Sequence, residues 1–155
     1  MAPVEIPVPT LYGEFDAHVH DPSNSPTNVI PRELPWSVHA TWYLQGAIAP
    51  LLDGTWQLQV AYESIGDGPE GVSSVYTLDY QDDGNLAGIY PNEMMSFDHT
   101  VNFPAGVPGT APGKSATTYK VTCYLTYLTP AGTPGPFAAV YDLGIIQFFD
   151  SPIAP

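Results

Sequence analysis

From Trp36 to Gln45 the chain alternates without a break: Trp36, Val38, Ala40, Trp42 and Leu44 are apolar, and Ser37, His39, Thr41, Tyr43 and Gln45 form the other row. Successive side chains of an extended strand point to opposite faces, so this period of two puts one row in a core and the other in water. A helix would scatter the same residues around its circumference. The pattern recurs in Leu11, Gly13, Phe15, Ala17 and Val19, and in Trp56, Leu58, Val60 and Tyr62. It returns in Tyr76, Leu78 and Tyr80, in Met95, Phe97, His99, Val101 and Phe103, in Tyr119, Val121, Cys123, Leu125 and Tyr127, and, less regularly, from Phe137 to Asp150. Each ribbon has one face to bury, which calls for two packed sheets or a barrel. The expected fold is all-β: a single antiparallel β-sandwich of about seven to eight strands in a Greek-key arrangement.

At 155 residues the chain suits one domain. Residues 11–150 carry the strand pattern. Residues 1–10 read as an extended arm in which Pro3, Pro7 and Pro9 fix the backbone, and residues 151–155 as a tail. Pro31 and Pro35 keep their segment extended and at a sheet edge, and Pro104 to Ser115 is a Gly/Pro-rich loop. Asp82-Asp83-Gly84-Asn85 is turn chemistry, and Gly144 marks a bulge where the parity of Ile145-Ile146 and Phe148-Phe149 breaks. No apolar stripe has a helical period, so little or no helix is expected. Trp42 resembles the buried tryptophan of an early inner strand in the immunoglobulin and fibronectin type III superfamily. Tyr119-x-Val121-x-Cys123-x-Leu125 with Pro130-Ala131-Gly132-Thr133-Pro134-Gly135-Pro136 is similar to that superfamily's penultimate strand and hairpin. The resemblance covers residues 36–150. It departs from antibody-type domains in giving Cys123 no cysteine partner, and in placing Val121, not tyrosine, two positions before it. It implies a fold and no activity.

Sixteen acidic residues against three basic ones (Arg32, Lys114 and Lys120) leave a net charge of −13, which repels a phosphate backbone and an anionic membrane surface alike. Nucleic acid is excluded as a partner. No run of apolar residues is long enough to insert in a membrane, and Met1 to Pro9 lacks the charged and apolar regions of a secretory signal. A soluble protein made in the cytoplasm without classical export is the expectation. Cys123 stands alone in a strand pattern and reads as a small buried hydrophobe.

The sharpest chemical motif is Asp16-Ala17-His18-Val19-His20, in which Asp16, His18 and His20 share one side of a strand. Two imidazoles and a carboxylate suit a divalent metal. The same three residues equally fit the solvated row of an alternating strand. The motif looks like the Asp-x-His-x-His opening of the amidohydrolases, but that family's barrel needs about 200 residues or more, and no later ligand series follows. A cupin's glutamate is missing, with Ser23-Asn24-Ser25 in its place. His39 reads as a surface residue, and His99, in the apolar row, as a core histidine or a site residue beside Asp98. The acidic turns Asp67 to Glu70 and Asp79 to Asn85 meet calcium's preference for oxygen without the spacing of an EF-hand.

The expectation for function is no catalysis and no obligate cofactor. A module whose sparse charges and abundant Tyr, Thr, Pro and Gln are cheap to desolvate suits protein partners or copies of itself, as a building block or attachment subunit. A carbohydrate-binding module is the first alternative, with the outward aromatics Tyr12, Tyr43 and Tyr124 stacking on sugar rings. A metal-dependent enzyme built on Asp16, His18 and His20 is the second.

Overall fold

The computed structural model describes residues 2–4, 11–23, 26–109 and 116–150. The calls on residues 5–10, 110–115 and 151–155 lie outside these. In chain order the strands are β1 (Ala2–Pro3), β2 (Leu11–His20), β3 (Val29–Pro31), β4 (Trp36–Gly46), β5 (Thr55–Ser64), β6 (Gly71–Val72), β7 (Tyr76–Asp79), β8 (Asn85–Ala87), β9 (Met94–Phe103), β10 (Ala116–Leu128) and β11 (Pro134–Phe149). They form two sheets, ordered β1-β2-β4-β9-β8 and β3-β11-β10-β5-β6, with β7 also on β5. This is an all-β sandwich. The central orders β2-β4-β9-β8 and β11-β10-β5 match the ABED and GFC sheets of immunoglobulin-like domains, so the fold resemblance extends to topology.

Alternation fixes which row is inside. Phe15, Ala17, Val19, Val38, Ala40, Trp42, Leu44, Trp56, Leu58, Val60, Val101, Val121, Cys123 and Leu125 are all buried in one core. Trp56, fully buried, lies at the centre of an aromatic cluster: its ring is 6.0 Å from Trp42, 5.8 Å from Phe97, 5.4 Å from Tyr127 and 6.4 Å from Tyr80. At the other end Trp36 stacks on Phe103 at 4.1 Å and donates its indole N–H to the Val107 carbonyl at 2.6 Å. Burial pushes the Cys123 thiol up to about 12, the state of an inert core residue.

Several expectations change. The tryptophan on the strand equivalent to the immunoglobulin inner strand C is Trp56 on β5, not Trp42, which lies on β4 and packs against it. One pairing is parallel: β3 runs alongside the end of β11, Gln147 to Phe149, at the edge expected for the Pro31 segment. The turn at Asp82 to Asn85 is instead a helical turn, α1 (Tyr80–Asp83), followed by β8. A 3-10 turn, Ala49–Leu51, precedes β5. Asp79 caps α1, its carboxylate accepting from the backbone N–H groups of Gln81 and Asp82, and Asp83 accepts from the Asp79 N–H at 2.6 Å. Those carboxylates are bound to backbone donors, the ordinary use of Asp in a turn. Of the arm, Ala2 and Pro3 pair with Phe15 and Glu14, and Val4 is buried. Gly144 sits at φ +80°, where the β10–β11 register shifts, the bulge expected of it. Among the described residues no helix is long and apolar enough to cross a membrane.

Candidate functional site

The registers of β2, β4, β9 and β8 align the outward side chains of the first sheet into rows. Tyr12 lies beside Gln45 and Met94. Glu14 lies beside Tyr43, Ser96 and Asn85; Asp16 beside Thr41 and Asp98; His18 beside His39 and Thr100; His20 beside Ser37 and Asn102. Among the described residues the face thus carries three carboxylates and three imidazoles and no Lys or Arg. Arg32 is buried against Asp150 (3.1 Å) and Thr117 (3.3 Å), and Lys120 lies 3.9 Å from Asp142 on the other sheet. An anionic ligand would find no clamp here.

At one end of the face Tyr12 and Tyr43 meet edge to face, with ring centroids 6.3 Å apart. The Tyr12 hydroxyl donates to the Gln45 side-chain oxygen, whose amide donates to the Asn92 carbonyl at 3.1 Å. The Tyr43 pKa is raised, first by burial and then by the neighbouring Glu14 charge. Beside Tyr43 opens a groove of about 240 Å³, lined by Glu14, Thr41, Asn85, Ser96 and Asp98. Tyr124, the third aromatic expected to bind, is exposed on β10, on the opposite sheet.

At the other end the histidines gather. His18 and His20 stack at 6.4 Å with rings 12° apart, and His20 lies 5.9 Å from His39, which the sequence places only on a surface. Asp16 is already engaged: one carboxylate oxygen accepts from the Ala17 N–H at 3.0 Å, and the other is 3.2 Å from His18 Nε2. Burial, then the charge of the same carboxylate, raise the pKa of Tyr141. Partial burial, then the neighbouring His39 and His18, lower the pKa of His20, because a proton there would lose water and meet a like charge. Asp16, His18 and His20 share a face, as their parity requires. Among the described residues no group of three or more His, Cys, Asp or Glu side chains is placed to hold a metal ion. His99 is half-buried, its ring 4.9 Å from Tyr76.

No protein-family model and no curated protein sequence matches the chain. Among solved structures it is similar to the C-terminal domain of Wzt, with 11% identity and a TM-score of 0.47 over 94% of this chain and 81% of that one. It is also similar to a Bordetella pertussis protein described as ApaA, with 13% identity and a TM-score of 0.32 over 96% of this chain and 100% of that one. A third is AggA, the major subunit of aggregative adherence fimbriae type I of Escherichia coli, with 9% identity and a TM-score of 0.34 over 90% of this chain and 95% of that one. Likeness at this level carries no functional argument.

Proposed function

We propose that the chain is a non-catalytic β-sandwich module that acts through its surface, as a self-assembling or attachment subunit of a larger protein assembly. The observation that carries this reading is an open sheet edge. From Phe97 to Phe103 β9 has β4 on one side and, among the described residues, no strand on the other. An edge left open over that length is a template for another chain. The apolar end of the sandwich supports the same reading: Leu51, Ile89 and Tyr90 are 78%, 83% and 73% exposed. The backbone bond from Gly46 to Glu93 ties their two loops together. Light scattering on the eluting protein tests the reading. The expected mass is a multiple of 16.7 kDa at concentrations on the order of 100 µM. Association should tighten as salt rises, because screening relieves the repulsion between chains of charge −13. A strict monomer across the range, in low and high salt, contradicts self-assembly.

The groove beside Tyr43 favours a second reading, a binding site for a neutral carbohydrate. An aromatic wall faces carboxylate, amide and hydroxyl groups, the donors and acceptors that sugar hydroxyls need, with no cation among the described lining residues to select an anion. A glycan array with the intact protein should then give hits that Tyr43→Ala reduces by about tenfold or more while Tyr124→Ala leaves them unchanged. An array without hits removes this reading.

A further inference from the structure

The geometry points to β9 as the seam of a symmetric homodimer, in which Phe97–Phe103 pairs antiparallel with the same segment of a second copy, in a register centred on Thr100. This rests on the reading that the chain acts by association, and it names the partner and the contact.

The backbone determines which groups are free. Gly46 and Glu93 stand one step beyond Gln45 and Met94, the last pair of the β4–β9 register, and the Gly46 N–H donates to the Glu93 carbonyl at 3.0 Å. Hydrogen-bonded pairs alternate along an antiparallel ladder. Phe97, His99, Val101 and Phe103 therefore turn their N–H and C=O groups toward β4, and Asp98, Thr100 and Asn102 turn theirs away. β8 takes up the outward groups of Met94 and Ser96 and stops there. Among the described residues three donors and three acceptors are left on an edge whose outward side chains, Asp98, Thr100 and Asn102, are all exposed.

Two other outer strands, β2 and β11, are covered or interrupted. β2 is covered by Ala2–Pro3, and near its end the Thr27 N–H donates to the Val19 carbonyl at 3.0 Å. β11 begins at Pro134 and Pro136, is interrupted by the Gly144 bulge, and packs Tyr141 onto Phe15 of β2. Prolines, bulges, lysines and covering segments are the usual means of blunting an edge. Among the described residues the free half of β9 has none of these, and its one charged side chain is Asp98.

Its length selects the register. Two antiparallel copies keep core side chains on the core side only when paired residue numbers have an even sum. The register that uses all seven free residues pairs Phe97 with the partner's Phe103, Asp98 with the partner's Asn102, His99 with the partner's Val101, and Thr100 with the partner's Thr100. Pro104, which follows the strand, then falls opposite Ser96, where β8 occupies the edge. A register centred on Asp98 would instead oppose two carboxylates and run the partner strand into β8. In the chosen register each Asp98 meets an amide, the threonines meet across the two-fold axis, and the phenylalanines extend the aromatic core, all favourable cross-strand pairs. The outcome is an isologous contact that joins two five-stranded sheets into one.

Thr100→Pro tests this in the full chain. The lost N–H is one that β4 does not use, so the fold should survive, as proline is tolerated on an edge whose N–H faces outward. Light scattering should then show a wild-type dimer and a variant whose dimer dissociation constant is raised about 100-fold or more, with an unchanged circular-dichroism spectrum. If the proline variant fails to fold, Thr100→Lys, which places two like charges at the axis, should give the same loss. Thr100→Cys should form a disulfide-linked dimer on oxidation, since opposed residues of a hydrogen-bonded pair lie about 5.5 Å apart at Cα and Cys123 is buried. A wild-type assembly that survives both Thr100→Pro and Thr100→Lys, or a Thr100→Cys protein that does not cross-link, overturns the β9 contact and leaves association through another surface standing. A strictly monomeric wild type overturns both readings.

Discussion

Trp56→Ala is expected to lower the unfolding free energy by about 3–5 kcal/mol, the usual cost of emptying a large aromatic site in a core. Domains of this kind are stable by about 5–15 kcal/mol, so the loss is about a fifth or more of the total and shifts the melting temperature by about 6–20 °C. The size follows from position. Trp56 is fully buried, and four aromatic rings on four other elements, β4, α1, β9 and β10, rest against it. Rings held by two sheets cannot all move into the space one indole leaves. Trp56→Phe should cost far less, under about 2 kcal/mol. Among the described residues the buried indole N–H has no hydrogen-bond partner, so the wild type already bears a desolvation penalty that phenylalanine removes. Urea unfolding followed by circular dichroism separates the two variants. Equal and small losses would mean that the sheets do not meet at Trp56.

The long strands were legible because each carries its own evidence. Trp36 to Gln45 alternates over ten residues, and the structure buries Trp36, Val38, Ala40, Trp42 and Leu44 as the alternation requires. Features that depend on a neighbour were not. Asn85–Ala87 is exposed along its length, and its first residue closes the Asp82-Asp83-Gly84-Asn85 turn signal; it becomes a strand because Met94–Ser96 offers it a ladder. The parallel pairing of Val29–Pro31 depends on where β11 ends, which no local pattern states.

The candidate site divides in the same way. Parity placed Tyr12, Asp16, His18 and His20 on one side of their strand and Tyr43 on one side of its own. Only the register between strands sets Glu14, Tyr43, Ser96 and Asn85 in one row, or brings His39 to His20. Nor does parity show that Asp16 is already bonded to the Ala17 N–H and to His18. A signal for the groove was present in part, since Glu14, Thr41, Ser96 and Asp98 all hold outward positions in their alternating strands.

Amide hydrogen exchange along β9 tests the central claim most directly, because one strand reports both the sandwich and its open edge. In dilute protein, on the order of 10 µM, the amides of Phe97, His99, Val101 and Phe103 should exchange at least about 10³-fold more slowly than those of Asp98, Thr100 and Asn102, since only the first group is bonded to β4. Raising the concentration should slow Asp98, Thr100 and Asn102 selectively as a second strand covers them. Uniform protection of all seven amides in dilute solution, or fast exchange of the β4-facing set, would contradict the account.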